Sequence, residues 1–586
     1  MCGIAGIMVR DGKSPDASIL DSFADVLGHR GPDGEGKYLA GSVAMVQTRL
    51  AVIDLKTGDQ PIYESGGGAL IANAEIYNYL ELRAELAGVP QSTQSDCEPP
   101  LHLYRRDGLS FTDSIRGMYA IAIHDPVEAR LVLARDPFGI KPLYYVETAD
   151  HFAFASEPQA LLAAGLAVAE LAEEHRNELL QLQFTCGRGT IYKGINRVLP
   201  GETLVVRGGR IVERRRRAAL PAGGPQRCGV DEGLTRLDEV LENSVTLHQR
   251  SDVPYGLFLS GGIDSSAMLA LMSRLNERPV KAYTAGFSGT AVADERAHAR
   301  ALAETVGAEF HDVDFTDTDF WTLLPEIAAA MDDPAADYAI LPTWKLAREA
   351  ARDLKVVISG EGGDELFGGY GRYRSALRPW WQGGRMMRAR GIVEGLGVLR
   401  QDDASWRDAI AASEVTATEA QRSRLQIAQA VDITDWLPND LLTKLDRCLM
   451  AHGMEGRTPF LDVAVADAVF RLPDSLKIHK QRGKWILRRW LDRVLPDARA
   501  FERKRGFTVP VGEWIFERGA ELGPLVAASP AIAEACHPDR VIALYKSTRK
   551  RARLAGWVLL FYALWHRRHI ELRQPEGDVF DVLSAA

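Results

Sequence analysis

Cys2 directly follows the initiator Met, and a thiol at this position can act as a nucleophile. A small second residue favours removal of the Met, which would make Cys2 the new amino terminus. The free α-amine titrates near pH ~8, so it can accept the thiol proton at neutral pH. Cys2 would then carry its own base, and the sequence predicts nucleophilic chemistry there.

Further polar residues in the first hundred positions suit the binding of an amino acid with a side-chain amide. Arg49 lies within the strand-like run 48–54, Asn73 and Glu75 follow an apolar segment, and Asp96 adds a carboxylate. The set offers a cation for an α-carboxylate, anions for an α-ammonium group and an amide donor for an oxyanion.

Two glycine-rich loops indicate phosphate chemistry in the middle of the chain. The loop 260–266 (SGGIDSS) joins a predicted buried strand to a predicted helix. Its glycines let the backbone approach an anion, and serine hydroxyls and helix N–H groups can donate to that anion. The loop 359–370, with Glu361, follows a second buried strand. Both loops leave the carboxyl ends of predicted parallel strands, where α/β sheets bind ligands. Asp264 and Asp364 are candidate magnesium ligands, since Mg²⁺ prefers carboxylate and phosphate oxygens.

Two sequence patterns must position these residues. The first ~200 residues contain short β-like segments separated by glycine, which predicts a sheet-rich layered domain. After residue 230, predicted strands at 255–259, 280–287, 310–315 and 356–358 alternate with helices, which implies a parallel sheet. From about residue 370 the chain is predicted to be mostly helical, and residues 371–430 contain no recognisable motif.

The composition excludes several classes of protein. With 46% hydrophobic and 25% charged residues, the chain is typical of a globular protein rather than a disordered one. Its formal net charge of −9 disfavours a nucleic-acid binder. Six cysteines without a CxxC pair predict reduced thiols in a cytoplasmic protein. The longest apolar run near the end, 554–565, is shorter than the about 20 residues that span a bilayer, and it predicts a buried helix.

The motifs of the first 200 residues occur in an order that resembles the amino-terminal-nucleophile glutamine amidotransferase domain. They are Cys2-Gly3-Ile4, His29-Arg30-Gly31-Pro32-Asp33, Arg49-Leu50, Asn73-Ala74-Glu75-Ile76-Tyr77-Asn78, Ser95-Asp96, Ser156-Glu157 and the segment 135–144. The resemblance implies that Cys2 attacks the glutamine side-chain amide, forms a thioester and releases ammonia. It also implies that Arg49 binds the α-carboxylate, that Glu75 and Asp96 bind the α-amine, and that Asn73 and the Ala74 N–H form an oxyanion hole.

Two positions depart from the family pattern. Ala74 replaces the usual glycine and keeps its N–H donor if φ is negative, whereas a positive φ would cost about 1 kcal/mol. Pro99-Pro100 follow the Ser95-Asp96 motif, and proline is tolerated in the first turn of a helix.

The two phosphate loops resemble the ATP-pyrophosphatase domain of glutamine-dependent asparagine synthetases. Further matches are Asp294-Glu295, Gly483-Lys484 and the segments 442–447, 455–462 and 504–507. The resemblance implies that residues 260–265 bind pyrophosphate, that Glu361 serves acyl-adenylate formation and proton removal from ammonia, and that Lys484 stabilises phosphate charge. The implied ATP-binding residues are Leu259, Ser260, Gly261, Gly262, Asp264, Ser265, Ala285, Ser359 and Gly360.

The predicted fold is multi-domain α/β. Residues 2–208 form an αββα amino-terminal-nucleophile hydrolase-like sandwich, 209–230 a linker, and 231–586 a parallel-sheet ATP-pyrophosphatase domain with extra helices. The expected reaction uses ATP and magnesium to convert aspartate and glutamine into asparagine and glutamate through an acyl-AMP, with AMP and pyrophosphate released. The expected partners are these small molecules, with no nucleic acid and no membrane, and a homodimer is left open.

Three alternatives remain. A related enzyme could amidate a sugar, a peptide or another metabolite. A cyclising β-lactam synthetase-like enzyme would leave Cys2 without a task. A non-catalytic glutamine- or nucleotide-binding regulator is supported only by Ala74 and is opposed by the presence of Cys2, Asp264, Glu361, Asp364 and Lys484.

Overall fold

The computed structural model describes residues 2–10, 12–64, 66–290, 294–401, 404–502 and 509–585. Within these ranges the strands, in chain order, are β1 (Cys2–Val9), β2 (Gly34–Ala40), β3 (Val43–Arg49), β4 (Ile62–Tyr63), β5 (Ala69–Ile76), β6 (Gly117–Asp125), β7 (Arg130–Arg135), β8 (Tyr144–Glu147), β9 (His151–Ala155), β10 (Asn196–Arg197), β11 (Glu202–Arg207), β12 (Arg210–Arg216), β13 (Tyr255–Phe258), β14 (Lys281–Gly286), β15 (Glu309–Asp314), β16 (Val356–Ile358) and β17 (Glu455–Arg457).

The α-helices of the same ranges, in chain order, are α1 (Ser18–Leu27), α2 (Tyr79–Glu85), α3 (Pro99–Asp107), α4 (Pro158–Ala163), α5 (Glu173–Leu182), α6 (Val230–His248), α7 (Ile263–Leu275), α8 (Arg296–Thr305), α9 (Asp317–Ala330), α10 (Ile340–Ala350), α11 (Gly363–Phe367), α12 (Gly371–Leu377), α13 (Asp408–Glu419), α14 (Arg424–Val431), α15 (Leu442–Met450), α16 (Val463–Phe470), α17 (Asp474–Lys477), α18 (Trp485–Val494), α19 (Val511–Glu517), α20 (Gly519–Ala528), α21 (Pro530–Ala535), α22 (Pro538–Tyr545), α23 (Lys550–His569) and α24 (Val579–Ser584). A π-helix, Asp432–Leu441, joins α14 to α15.

The amino-terminal part contains two six-stranded antiparallel sheets, ordered β10-β8-β9-β1-β3-β2 and β12-β11-β7-β6-β5-β4. Side chains from both sheets, such as Ile4, Met45, Ile71 and Leu133, form one buried cluster between them. Alternate residues of the same strands point outward, because successive side chains of a strand leave on opposite faces. Helices α1 and α4 cover the outer face of the first sheet, and α2 and α3 cover that of the second. The predicted αββα sandwich is confirmed.

The carboxyl-terminal part contains a five-stranded parallel sheet, ordered β15-β14-β13-β16-β17. Apolar residues of α6, α7 and α18 pack on one face and those of α9, α10 and α23 on the other. The central strands β13, β14 and β16 are therefore covered on both faces, as is typical of parallel sheets, whereas the edge strand β15 is partly exposed. The predicted parallel-sheet α/β domain with extra helices is confirmed.

Two strands lie where the sequence predicts none. β17 consists of Glu455, Gly456 and Arg457, a sequence without an apolar pattern. The charged side chains can be buried in this strand because they are paired with each other and with other residues of the fold. β12 lies inside the predicted linker, where the turn at Gly208-Gly209 folds the chain back onto β11.

The apolar run 554–565 lies in α23, where it is almost completely buried, as predicted. Among the helices of the described ranges, none is both long and apolar enough to cross a membrane.

Candidate active sites

Cys2 opens β1 and pairs with Arg49 across the β1–β3 ladder. Its side chain is buried, and its Sγ accepts a hydrogen bond of 2.8 Å from Gln47 Nε2. Burial raises the pKa of the Cys2 thiol, although neighbouring hydrogen bonds and Arg49 oppose the shift. A thiol that stays protonated needs a base to become a nucleophile, and the predicted terminal amine of Cys2 is the candidate for that base.

Asn73 lies in β5, on the facing sheet, and its side chain contacts the start of β1. The backbone N–H of Cys2 donates to Asn73 Oδ1 at 3.1 Å, which fixes the orientation of the amide. The other end of that amide, Nδ2, is buried and has no hydrogen-bond partner in the described part of the chain. An unused buried donor is rare in native structures. Next to a thiol, it suits a developing oxyanion.

The Ala74 N–H points away from β6. Ala72 N–H donates to Gln60 Oε1 at 2.6 Å and Ile76 N–H donates to Asp96 Oδ2 at 2.7 Å. Since backbone N–H groups alternate between the two edges of a strand, the Ala74 N–H faces the same edge as these two. Ala74 is not among the residues with positive φ. The alanine therefore keeps its donor without strain.

The other predicted glutamine ligands, Arg49, Asp96 and Glu75, all have partners within the protein. Arg49 Nη1 contacts Asp59 at 2.7 Å, and Nη2 donates to the Asp54 carbonyl at 2.5 Å. Burial raises the pKa of Asp96 to about 6. Glu75, in contrast, lies 3.0 Å from Arg457 Nη2 in the carboxyl-terminal part. The sequence predicts no role for Arg457. Its contact with Glu75 could not be inferred from the sequence, because the two residues are far apart in the chain and meet only in the folded protein.

The second site is a cavity of about 650 Å³ at the carboxyl ends of β13, β14 and β16. Of the predicted nucleotide-site residues it is lined by Leu259, Ser260, Gly262, Asp264, Ser265, Ala285, Ser359, Gly360, Glu361 and Asp364. Gly261 is not among the lining residues; it turns the loop with a φ of +72°.

The loop after β13 has the geometry of an anion site. Gly262 is the N-cap residue of α7, so the first N–H groups of that helix face the loop. Ser260 and Ser265 hold the loop together: their hydroxyl oxygens are 3.1 Å apart, and the Ser260 N–H donates to Ser265 Oγ at 3.2 Å. Helix N–H groups and two hydroxyls can therefore donate to one anion.

Glycines allow the loop after β16 to contact the first loop. A Cβ atom on Gly363 would lie 2.4 Å from Asp264 Oδ1. A Cβ atom on Gly369 would lie 1.8 Å from Asp364 Oδ1 and 2.4 Å from Lys484 Cε. Any side chain at these positions would therefore displace Asp264, Asp364 or Lys484; the two aspartates line the cavity, whereas Lys484 is not among its lining residues.

Lys484 joins the two acidic loops. Its Nζ contacts Asp264 Oδ2, lies 2.6 Å from Asp364 Oδ1, and is almost fully buried. Burial disfavours its charge, but the two carboxylates raise the pKa of Lys484. Over the described ranges, no group of three or more His, Cys, Asp or Glu residues is arranged to hold a metal. Asp264 and Asp364 are oxygen donors that suit Mg²⁺, which would need phosphate oxygens or water to complete its coordination.

Lys444 and Asp337 also line this cavity and were not among the predicted site residues. Lys444 Nζ lies 3.1 Å from Glu361 Oε1 and 3.4 Å from Asp337 Oδ2. The matching segment 442–447 could have indicated Lys444, whereas nothing in the sequence around Asp337 indicates a role. Of the other matched segments, Glu295 lines the cavity, and 504–507 lies outside the described residues.

Buried ion pairs connect the part of the chain that holds Cys2 to the part that holds the cavity. Arg30 Nη1 lies 2.8 Å from Asp446 across the boundary and 2.7 Å from Glu157 on its own side, and Arg447 Nη1 lies 3.7 Å from Glu157 across the boundary. These charges are almost completely buried, so Arg30 and Arg447 each depend in part on a carboxylate across the boundary.

Comparisons with known proteins agree with this division. A family model described as "Glutamine amidotransferase domain" matches residues 1–216, and one described as "Asparagine synthase" matches residues 236–567. Asparagine synthetase [glutamine-hydrolyzing] 1 of Bacillus subtilis is 30% identical over 98% of each chain. A putative asparagine synthetase [glutamine-hydrolyzing] of Mycobacterium bovis is 33% identical over 97% of this chain and 98% of the relative.

Among solved structures, the allosteric regulatory enzyme of purine biosynthesis covers 53% of this chain and 80% of its own. It has a TM-score of 0.30 and 17% identity. A TM-score this low does not establish structural similarity between the two chains.

Proposed function

Since the chain belongs to the glutamine-hydrolysing asparagine synthase family, we propose that it transfers the amide nitrogen of glutamine to the side-chain carboxylate of aspartate at the expense of ATP. The observation that carries the proposal is that one chain holds both candidate sites. Cys2, with its buried thiol, contacts Asn73, whose Nδ2 has no hydrogen-bond partner among the described residues, and a separate cavity is lined by the glycine-rich loop after β13 and the acidic loop after β16.

In the first half-reaction, the Cys2 α-amine takes the thiol proton and the thiolate attacks the glutamine amide carbon. Asn73 Nδ2 and the Ala74 N–H would stabilise the oxyanion, and collapse of the intermediate releases ammonia and leaves a thioester. Water then hydrolyses the thioester to glutamate. Arg49 would hold the α-carboxylate and Asp96 the α-ammonium group, with Glu75 contributing from its ion pair with Arg457.

In the second half-reaction, an aspartate carboxylate oxygen attacks the α-phosphorus of ATP, which gives an acyl-AMP and pyrophosphate. Activation is required because a carboxylate oxygen is a poor leaving group, whereas AMP is a better one. Ser260, Ser265 and the N–H groups of α7 would bind the pyrophosphate, and Lys484 would stabilise the phosphate charge. Backbone at Leu259, Ala285, Ser359 and Gly360 would contact the nucleotide.

Ammonia then attacks the acyl carbon and AMP leaves. Glu361 would take a proton from the attacking ammonia, and Lys444, 3.1 Å away, holds the Glu361 carboxylate in place. Asp264 and Asp364 would hold Mg²⁺, which when bound supplies further neutralisation of phosphate charge.

A second candidate function keeps this chemistry and changes the acceptor. Amidase chry2 of Gibberella zeae is 31% identical over 64% of this chain and 60% of its own length, and it carries a different name from the asparagine synthetases. The family alone therefore does not define the acceptor.

The test is to supply glutamine, ATP, Mg²⁺ and aspartate and to measure asparagine and pyrophosphate. We expect both products in equal amounts, and the absence of aspartate-dependent pyrophosphate would exclude aspartate as the acceptor. The Cys2→Ala variant removes the nucleophile, so we expect it to lose glutamine-dependent synthesis and keep synthesis from ammonium chloride. If glutamine-dependent synthesis survives in this variant, Cys2 is not the nucleophile.

A further inference from the structure

The glutaminase site contains a row of polar side chains on one face of β5. Asn73 and Glu75 are two positions apart, so their side chains leave the strand on the same face. Asn73 accepts a hydrogen bond from the Cys2 N–H, which identifies this face as the one toward the nucleophile. Two buried atoms of the row, Asn73 Nδ2 and Glu75 Oε2, form no hydrogen bond within the described ranges. Unsatisfied buried groups are rare in native structures, so the row suits a polar ligand.

Arg457 reaches this row from the part of the chain that matches the asparagine synthase model. Its Nη2 lies 3.0 Å from Glu75 Oε2, and its Nε lies 2.5 Å from Glu455 Oε1. The guanidinium and both carboxylates are almost completely buried. One cation thus lies between two carboxylates, and this triad has an excess negative charge when both are ionised. A bound ammonium group would neutralise that charge.

The fold holds the Arg457 guanidinium in place. Its Nη1 donates to the carbonyl of His248 at 2.8 Å and to that of Arg250 at 2.6 Å. The backbone is fixed as well, because β17 pairs with β16 and the Ser359 N–H donates to the Arg457 carbonyl at 2.8 Å. The nitrogen that faces Glu75 therefore has a set position, as a group that orients another side chain requires.

The charge of Arg457 also acts on the ionisation of Glu75. Burial, followed by repulsion from Glu455, raises the pKa of Glu75, and the charge of Arg457 opposes this rise. Without the guanidinium, Glu75 would bind a proton more readily, and a protonated carboxyl group does not attract an ammonium ion. Arg457 can therefore affect a ligand through the carboxylate that it holds, without touching the ligand itself.

We propose that Arg457 is a positioning residue of the glutaminase reaction and that it holds the Glu75 carboxylate for the α-ammonium group of glutamine. The inference rests on the proposed amidotransferase function. It adds a residue from outside the amidotransferase match, which ends at residue 216. The glutamine site is thus completed by β17, a strand of the other part of the chain.

The first test measures glutamate release from glutamine and compares KM with kcat. For Arg457→Met we expect the KM for glutamine to rise about 10- to 100-fold, the loss typical of a charge-assisted hydrogen bond. The kcat should change less than about threefold, because the groups proposed to attack the amide remain. Arg457→Lys keeps the charge and should recover part of the loss. Urea denaturation shows which variants are folded. Arg471→Met, which removes a partly exposed ion pair with Asp467, is the matched control and should leave the KM unchanged.

Two further measurements separate positioning from a general structural role. Glu75→Gln should raise the KM for glutamine by a similar factor, and adding Arg457→Met to it should raise the KM little further, because Arg457 acts through Glu75. Glutaramate, which is glutamine without its α-amino group, is used as a competitive inhibitor. Since it has no ammonium group, its inhibition constant should be the same in the unmodified protein and in the Arg457 variants.

The outcomes distinguish this inference from the function on which it rests. An unchanged KM for glutamine in Arg457→Met and Arg457→Lys would overturn the inference, as would independent effects of the Glu75 and Arg457 substitutions or an equal weakening of glutaramate binding. If the KM depends on Arg457 as expected but no aspartate-dependent pyrophosphate forms, the inference stands and only the acceptor is wrong. If the unmodified protein releases no glutamate from glutamine, the amidotransferase proposal fails and the inference fails with it.

Discussion

Asn73 and Ala74 are neighbours in β5, yet they would supply their two hydrogen bonds by different means. Asn73 uses a side-chain amide whose other end is held by the Cys2 backbone, and Ala74 uses its backbone N–H. A backbone donor depends on φ and on strand direction rather than on the side chain. The departure at Ala74 from the usual glycine is therefore compatible with an oxyanion hole, because φ is not positive there.

The proposed role of Asp96 predicts a pH dependence of glutamine binding. Burial raises the pKa of Asp96 to about 6, so the carboxylate is ionised above this pH and becomes protonated as the pH falls through it. A neutral Asp96 no longer attracts an α-ammonium group. We expect the KM for glutamine to rise below pH 6, approaching about tenfold per pH unit.

The measurement is the glutaminase KM between pH 5 and 8 on the unmodified protein and on Asp96→Asn. The variant should have a high KM that does not change over this range. If the KM for glutamine stays constant through pH 6 in the unmodified protein, Asp96 does not bind the α-ammonium group of glutamine.

At the scale of elements, the site depends on how closely the loops after β13 and β16 approach each other. Gly369→Ala would place a Cβ atom 1.8 Å from Asp364 Oδ1 and 2.4 Å from Lys484 Cε. Both groups must move, so we expect ammonia-dependent pyrophosphate release to fall by about 100-fold or more, since small displacements in an active site have effects of this size. Glutaminase activity should persist.

The matched control is Gly229→Ala, where an added Cβ atom meets nothing within 4 Å and φ is −75°. It should retain both activities. Equal effects of the two substitutions would mean that close contact of the loops does not matter for adenylation.

The elements that could be predicted are those with a local signal. Apolar runs followed by glycine-rich loops predict β13, β16 and the strand–loop–helix order around residues 260–266, and the structure has these elements. β17 could not be predicted, because Glu455 and Arg457 are stabilised inside the protein by residues such as Glu75 and by the His248 carbonyl. The same limit applies to Arg388, which lines the cavity and whose position against Trp436 depends on packing between separate segments.

At the scale of the whole molecule, stability depends on buried charges that meet across the two parts of the chain. Arg457 contacts Glu455 at 2.5 Å and Glu75 at 3.0 Å, and all three are almost completely buried. Arg457→Met would leave two carboxylates without their cation. We expect the free energy of unfolding to fall by about 3–5 kcal/mol, measured by urea denaturation.

Two further variants control this measurement. Adding Glu75→Gln to Arg457→Met removes one unpaired charge and should recover part of the loss. Arg274→Met also removes a cation from two carboxylates, Asp238 and Glu242, but these pairs are partly exposed and the loss should be about 1 kcal/mol or less. If Arg457→Met and Arg274→Met destabilise the protein equally, the buried pairs do not govern its stability.

The pairs Arg30–Asp446 and Glu75–Arg457 each take one residue from either side of the boundary. A chimaera that grafts the glutaminase part of one relative onto the synthetase part of another would therefore need matched charges at both positions. A mismatch would bury a lone charge even if each donor protein were stable. Engineering of hybrid amidotransferases on this scaffold should therefore exchange these residues as pairs.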